Sequence, residues 1–344
     1  MEKVLIAMSG GVDSSVAAYL SQQAGLQCIG GTMKLLCGSS GDAEDARAVA
    51  TRLGMDFHVF DMKETFAREV MDKFVHCYES GLTPNPCVDC NRRLKFGALL
   101  DWAVKQGFDY VATGHYARLG YDETTGRHLL LRGEDRGKDQ SYVLYQLTQF
   151  QLQHLLLPIG NHDKAAIRAA AAQAGLESAN KSDSQDICFV PDGDYAAFIK
   201  RYTGESFPKG NFVDLNGNVL GEHNGIIRYT IGQRKGLGIA LGKPAFVCAK
   251  NVGENTVTLG ENSDLFSSVL TAHDVNLITC DSIDEPMRVL AKVRYNQKEQ
   301  PATVVSIGEG RIRVEFDEPQ RAISKGQSVV LYDGDAVVGG GIID

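Results

Sequence analysis

Two groups of residues in this 344-residue chain have the types and spacing for chemistry. The first is the run Ser9-Gly10-Gly11-Val12-Asp13-Ser14-Ser15. Its glycines permit unusual backbone angles and close approach of a phosphate, and its serines add hydroxyl donors. The apolar residues before it, 4–8, read as a buried strand, and residues 16–20 read as the start of a helix. A strand, a glycine turn and a helix N-terminus together make an anion site. Unpaired backbone N–H groups and the positive end of the helix dipole converge there. Asp13 stands apart, because a carboxylate repels phosphate unless it caps the helix or helps to hold magnesium. The run lacks the Gly-Lys-Ser/Thr ending of the Walker pattern. A plain serine-rich helix cap is the bland alternative, and the length of the run and its place after a strand weigh against it.

The second group is sulfur. Cys87, Cys90 and Cys188 sit in polar, loop-like sequence, whereas Cys28, Cys77, Cys248 and Cys280 lie among apolar neighbours and read as small buried hydrophobes. Cys37 falls in a glycine- and serine-rich loop and takes no role. Cys90 precedes a stretch carrying Arg92 and Arg93, and a helix dipole with guanidinium charges would favour its thiolate. Cys87-x-x-Cys90 is half of a zinc site without its second half. With Cys188 it offers thiolates for an iron–sulfur cluster with one open iron. His115, after Gly114, is a candidate substrate contact against the plainer reading of a structural histidine. Lys138-Asp139-Gln140-Ser141 reads as a polar loop or helix cap, and Arg294-Tyr295 as the end of a barrel strand, against the plainer reading of a solvated edge.

Strand-like runs at 28–33, 57–61 and 109–113 alternate with helix-like stretches at 43–53, 63–78 and 91–106. That alternation implies a parallel sheet covered on both faces. Ligands of such sheets sit at the carboxyl ends of the strands, which puts Ser9–Ser15, Met33 and Gly114-His115 on one rim. The prolines in 82–91 predict a shaped loop rather than a helix there. Residues 119–132 read as a hairpin, and 140–175 as mostly helical with a break at Pro158. From about Gly204 short alternating runs replace helical periodicity, and Asn216-Gly217 marks a hairpin. Runs at 289–295, 302–307, 311–316 and 329–332 predict a small antiparallel barrel. The expected division is 1–203, 204–284 and 285–344: a catalytic α/β domain, a basic β-rich domain and a β-barrel.

Composition agrees with a folded soluble chain: 43% hydrophobic and 23% charged, with no apolar run long enough for a bilayer. The N-terminus enters the first strand directly, and eight cysteines without a secretory signal point to a reducing, cytoplasmic setting. A formal charge of −8 speaks against nucleic acid, yet residues 200–250 alone net +5 and leave −13 elsewhere. A basic segment on an acidic body is compatible with local binding of a polyanion, and equally with a solvated face.

Taken together, SGGVDSS (9–15), LTPNPCVDCN (82–91), ATGHYAR (112–118), GKDQSYVL (137–144), SQDICFV (184–190) and YTIGQRKGLG (229–238) resemble the tRNA-specific 2-thiouridylases of the pyrophosphate-loop ATPase superfamily. The resemblance covers essentially the whole chain. It implies an adenine-nucleotide alpha-hydrolase-like N-terminal domain, ATP with Mg2+, and adenylation of the carbon-2 oxygen of the tRNA wobble uridine before sulfur replaces it. By the same match Ala7, Met8, Ser9, Gly10, Gly11, Val12, Asp13, Ser14, Met33 and Gly114 belong to the nucleotide site. Cys188 matches the persulfide carrier, and Cys90 the nucleophile that cleaves the persulfide and forms a transient disulfide with Cys188. Asn85, Pro86 and Cys87 match the loop facing the target base, and His115, Lys138, Asp139, Gln140, Arg294, Tyr295 and Gln327 match tRNA contacts. The wobble base would have to leave its stack to react. The implied partners are tRNA and a sulfur donor such as a cysteine desulfurase or a sulfur-relay protein. Many members carry aspartate where this chain has Cys87, which keeps a three-cysteine iron–sulfur route beside the persulfide route. Other pyrophosphate-loop ligases and a non-catalytic RNA-binding protein are the competing classes. The absence of a glutaminase domain and the pair Cys90/Cys188 argue against the first, and the intact loop against the second.

Overall fold

The computed structural model describes residues 1–37, 41–176 and 187–344. Strand β1 (Lys3–Ala7) is the centre of a parallel sheet with β2 (Gln27–Lys34), β3 (Phe57–Asp61) and β4 (Tyr110–Thr113). The order is β3-β2-β1-β4, and the short strand Leu155–Leu156 is added beyond β4. Val4, Leu5 and Ile6 are fully buried because helices cover both faces, which is why β1 reads as a continuous apolar run. Ala7 pairs with Gly31 on one side and Thr113 on the other. The carboxyl ends of β1, β2 and β4 therefore lie side by side, the rim expected from the sequence.

Helix α1 (Val12–Gln23) leaves β1 through the glycine turn, and α2 (Asp42–Arg52) follows β2. Residues 63–79 run as one helix with a π-helical turn at Ala67–Met71. Two expectations need correction. Residues 86–90 are helical rather than looped, because Pro86 takes the first helical position, where its missing N–H costs nothing, and Asn85 caps it. The helix continues as a π-helical segment, Asn91–Leu99, to Lys105. The expected helical stretch 140–175 is instead divided. It holds a 3-10 turn at Ser141–Leu144, a short helix opened by a Thr148/Gln151 capping box, the strand Leu155–Leu156, and a helix at Lys164–Gln173.

The β-rich remainder forms two sheets. Strands Gly210–Val213, Val219–His223, Phe246–Asn251 and Thr256–Gly260 make a small sheet, with the Asn216-Gly217 turn joining the first two. Its Phe212, Val247 and Val257 share a core with Phe66, Phe74 and Phe198 of the α/β part. Six strands then close a barrel, since Phe266–Leu277 pairs with both Arg311–Arg321 and Ala336–Ile343. Phe266–Leu277 lies before residue 284 yet is a barrel strand. The hairpin Ala117–Asp122/Arg127–Arg132 of the α/β part joins the edge of the same sheet through Leu131 opposite Ala336. Tyr142, Val330 and Tyr332 share a core cluster with Phe96 and Leu99.

Candidate active site

The turn between β1 and α1 is built by hydroxyls and by close backbone approach. Ser14 Oγ and Ser15 Oγ donate to Gly11 O at 3.1 and 2.8 Å, and Ser9 N donates to Ser14 Oγ at 3.2 Å. Gly10 has φ +74°, and a Cβ there would lie 2.8 Å from the Asp45 Cβ. A Cβ on Gly114 would lie 2.6 Å from Ser14 N and from the Asp13 carbonyl carbon, so only glycine lets β4 end against the loop. Val12 is buried and Met8 packs beneath the turn, with Met8 N donating to Gly31 O at 2.8 Å. Met33 lies one residue short of the end of β2 on the same rim.

Asp13 does not cap α1. It lies in the first turn, the N-cap is Gly11, and no side chain bonds there. Its carboxylate instead accepts Lys164 Nζ at 2.8 and 2.9 Å and Tyr116 Oη at 2.7 Å. A carboxylate engaged by an ammonium and a phenol is not placed as a magnesium ligand.

The thiols gather beyond the same rim. Cys37 follows β2, and its sulfur lies 3.4 Å from that of Cys188 in a shared hydrogen bond. Cys87 and Cys90 are three positions apart on the helix begun by Pro86 and so lie on one face. Cys90 interacts electrostatically with Cys87, Cys188 and Cys37. The expected lowering of the Cys90 thiol is wrong. Burial pushes it up to about 11, and Lys95 draws it down. Arg92 is turned away in an ion pair with Asp274. Burial also raises Cys87, despite its exposed side, and Lys95 again opposes it.

Lys95 is the residue the sequence reading missed. It lies inside a helix among ordinary charges, and only the fold brings it to the thiols and to His115, whose Nε2 is 3.4 Å from Lys95 Nζ. His115 is 7% exposed, bonded through Nδ1 to Thr113 Oγ1 at 2.7 Å, and burial with the nearby ammonium holds it neutral. All eight cysteines are free thiols, and Cys90 and Cys188 are unlinked in this state. Among the described residues no three His, Cys, Asp or Glu side chains converge as a metal-ligand set. The first three residues of the motif that carries Cys188, 184–186, lie outside the described residues.

Several residues matched to tRNA contacts spend their polar atoms inside the protein. Asp139 is buried and accepts Gly133 N, Ser141 N and Ser141 Oγ at 2.9–3.0 Å. Gln140 Oε1 accepts Tyr116 N at 2.9 Å. Arg294 ties the small sheet to the barrel by donating to Ile231 O, Ala322 O and Ser324 Oγ. Gln327 Nε2 donates to Thr83 O at 2.8 Å and Pro84 O at 3.2 Å, fixing the approach to Asn85, whose Oδ1 accepts Cys87 N at 3.2 Å, and to the buried Pro86. Tyr295 and the loop holding Lys138 border a cavity of about 580 Å³ lined also by Arg132, Arg136, Lys292 and Lys298. In the small-sheet domain Arg228, Arg234 and Lys235 stand exposed, whereas Lys250 is half-buried with its ammonium enclosed over Tyr78, which pushes it down to about 8.

Residues 2–192 match the family profile described as "tRNA methyl transferase HUP domain". Residues 196–261 match its PRC-barrel domain, and 267–343 an "Aminomethyltransferase beta-barrel domain". The chain is 52% identical to the tRNA-specific 2-thiouridylase MnmA of Clostridioides difficile (strain 630), covering 100% of this chain and 98% of that one. It is 49% identical to the protein of the same name from Acetivibrio thermocellus, covering 99% of each. Identity to that of Carboxydothermus hydrogenoformans is 50%, over 100% and 98%.

Proposed function

The chain belongs to the tRNA-specific 2-thiouridylase family, and on that premise we propose that it uses ATP to replace the carbon-2 oxygen of a tRNA wobble uridine with sulfur. One observation carries the reading: the glycine turn after β1 and the thiols after β2 open on the same carboxyl rim of one sheet. The first is an anion site and the second a store of nucleophilic sulfur. Thiolation of a carbonyl needs both, because the oxygen is a poor leaving group until it is carried away on AMP.

In this reading the backbone N–H groups of Ser9–Ser15 receive the departing pyrophosphate. Lys164, held by Asp13, brings an ammonium to the same turn. Adenylation of the uridine oxygen gives a carbon-2 centre open to sulfur. Cys188 carries sulfur as a persulfide, and Cys90 is the nucleophile of the sulfur step, with Lys95 favouring anionic sulfur near both.

The target base enters beside Asn85, Pro86 and Cys87. His115, Asp139, Gln140, Arg294 and Gln327 shape that surface by their internal bonds. Lys138, Tyr295 and Lys292 and Lys298 of the mixed-charge cavity beside them, where Glu299 pairs with Arg132 and Asp335 with Arg136, meet the tRNA backbone with Arg234 and Lys235. The sulfur enters from a donor protein of the desulfurase or relay type. The division into three parts is kept, with the barrel beginning at Phe266. The test is a single preparation assayed for tRNA-dependent pyrophosphate release and for sulfur at carbon 2 of the wobble uridine. Pyrophosphate release with a small acid or amide and ammonia, but not with tRNA, would overturn the reading in favour of another ligase.

A further inference from the structure

The Asp13 carboxylate at the phosphate turn is held from two sides by residues 103 and 151 positions away in the chain, and both sides lead to the loop between Gly133 and Ser141. On one side Tyr116 Oη donates to Asp13 Oδ1 at 2.7 Å. The main chain of Tyr116 is strapped in turn to Gln140. Its N–H donates to Gln140 Oε1 at 2.9 Å, and its carbonyl accepts Gln140 N at 2.8 Å. On the other side Lys164 Nζ spans both oxygens of Asp13 at 2.8 and 2.9 Å. Lys164 opens the helix Lys164–Gln173, and its backbone N–H donates to Asp135 Oδ2 at 3.3 Å. The other oxygen of Asp135 accepts Gly137 N at 3.0 Å. Buried Asp139 closes the base of the loop by accepting Gly133 N and Ser141 N, each at 3.0 Å. The bonds form a ring that runs from Asp13 through Tyr116, Gln140, the loop, Asp135 and Lys164 back to Asp13. It joins the loop that carries Lys138 to the turn after β1.

We propose that Tyr116 and Asp135 are positioning residues through which this loop sets the Asp13–Lys164 pair, so that tRNA docked on the loop tightens ATP at the phosphate turn. The inference rests on the reading of Lys138–Gln140 as a tRNA contact and of Ser9–Ser15 as the ATP site. Its physical basis is the cost of order. Fixing a loop backbone loses conformational entropy. RNA seated on the loop imposes that order, and the two legs of the ring carry it to the Asp13 carboxylate and the Lys164 ammonium. ATP then meets a turn whose charges are already in place, and binds without that cost. The coupling is reciprocal, so ATP tightens tRNA by the same factor. Tyr116 and Asp135 act through Asp13 and Lys164 rather than on either ligand. A ring with one leg open still has the other. Loss of the Tyr116 hydroxyl or of the Asp135 carboxylate therefore weakens the coupling, and loss of both ends it.

The test measures the dissociation constant of α,β-methylene-ATP with Mg2+, without tRNA and with saturating tRNA, for wild type, Tyr116→Phe, Asp135→Ala and the double variant. The tRNA is a transcript with an abasic wobble position, so the target base cannot itself touch the nucleotide. Thermal melting of each variant reports whether it is folded. Wild type is expected to bind the analogue about fivefold or more tighter with tRNA. Each single variant should show a smaller ratio, and the double variant a ratio within about twofold of unity. A merely structural defect would weaken both constants and leave their ratio. A wild-type ratio in the folded double variant would overturn the ring. If the double variant does not fold, an unchanged ratio in Tyr116→Phe, which loses only one oxygen atom, would do the same. Pyrophosphate release by wild type with intact tRNA is read on the same preparation. Release beside a wild-type ratio of one would overturn the coupling alone. No release with intact tRNA would overturn the thiolation reading and this inference with it.

Discussion

Lys164 Nζ sits 2.8 and 2.9 Å from the two carboxylate oxygens of Asp13, at the opening of a helix that the chain reaches only after leaving the parallel sheet. Tyr116, two residues past Gly114, completes the clasp. The acidic member of the phosphate turn is thus neutralised by a cation, so it does not repel an incoming phosphate. Asp13→Ala and Lys164→Met should each cut tRNA-dependent pyrophosphate release by about a hundredfold or more, the usual cost of losing one preorganised charge stabiliser. tRNA affinity should stay within about twofold in filter binding. Normal pyrophosphate release by Asp13→Ala would remove the turn from the reaction.

Gly114→Ala tests the close approach of β4 to that turn. The new Cβ would sit 2.6 Å from Ser14 N, a distance only backbone movement relieves. The variant should melt lower by the equivalent of about 1–3 kcal/mol, as overpacking does. It should also lose ATP-dependent pyrophosphate release. A variant with both properties unchanged would mean that the turn gives way freely.

The Cys90 thiol, raised by burial to about 11, sets a pH dependence. Below that value its thiolate fraction grows tenfold per pH unit. In a Cys37→Ser, Cys188→Ser background, alkylation of Cys90 by iodoacetamide should therefore rise about tenfold per unit between roughly pH 7 and 9.5. Lys95 lowers this thiol, so Lys95→Met should slow alkylation at every pH in that range without changing the slope. A rate that levels off near pH 7 would show a thiolate already formed.

Cys87 separates the two sulfur routes. A persulfide relay uses Cys188 and a partner thiol, so Cys87→Asp should keep most thiolation activity. A three-cysteine cluster would lose one ligand and most of its activity. The deciding measurement is thiolation by Cys87→Asp beside the visible absorption and iron content of anaerobically purified protein. A brown wild type with an inactive Cys87→Asp would favour the cluster.

Arg234 and Lys235 are exposed in the small sheet domain. If they meet phosphates, Arg234→Ala with Lys235→Ala should weaken binding of all tRNAs and lower the slope of log affinity against log salt by about 2. An unchanged slope would make them part of a solvated face.

The sequence was most legible where a local pattern has one solution. The run 9–15, between an apolar strand and a helix, is the turn at the carboxyl end of β1, and β3 falls at the expected 57–61. Legibility failed where the deciding term was distant. Asn85-Pro86 reads as a helix breaker, but a proline at the first helical position with an asparagine cap starts a helix instead. Cys90 was read from its neighbours Arg92 and Arg93. Desolvation outweighed them, and Arg92 had a partner 182 residues away. Cys37 and Lys95 carry no local signal at all. Their meaning comes from β2 ending opposite Cys188 and from a helix face turned toward His115.

Gln327 of the barrel grips Thr83 and Pro84, and Lys325 O accepts Thr83 N at 2.9 Å, just ahead of the cysteine helix. That grip makes the C-terminal barrel a tensioning post for the loop that leads to Cys87. A chimera that joins this α/β part to the barrel of a distant relative would inherit a slack active-site loop unless the 322–327 turn travelled with it. Exchange of modules between relatives is therefore constrained at this joint, and swaps that keep residues 82–91 and 322–327 from one parent should retain thiolation where other cut points lose it.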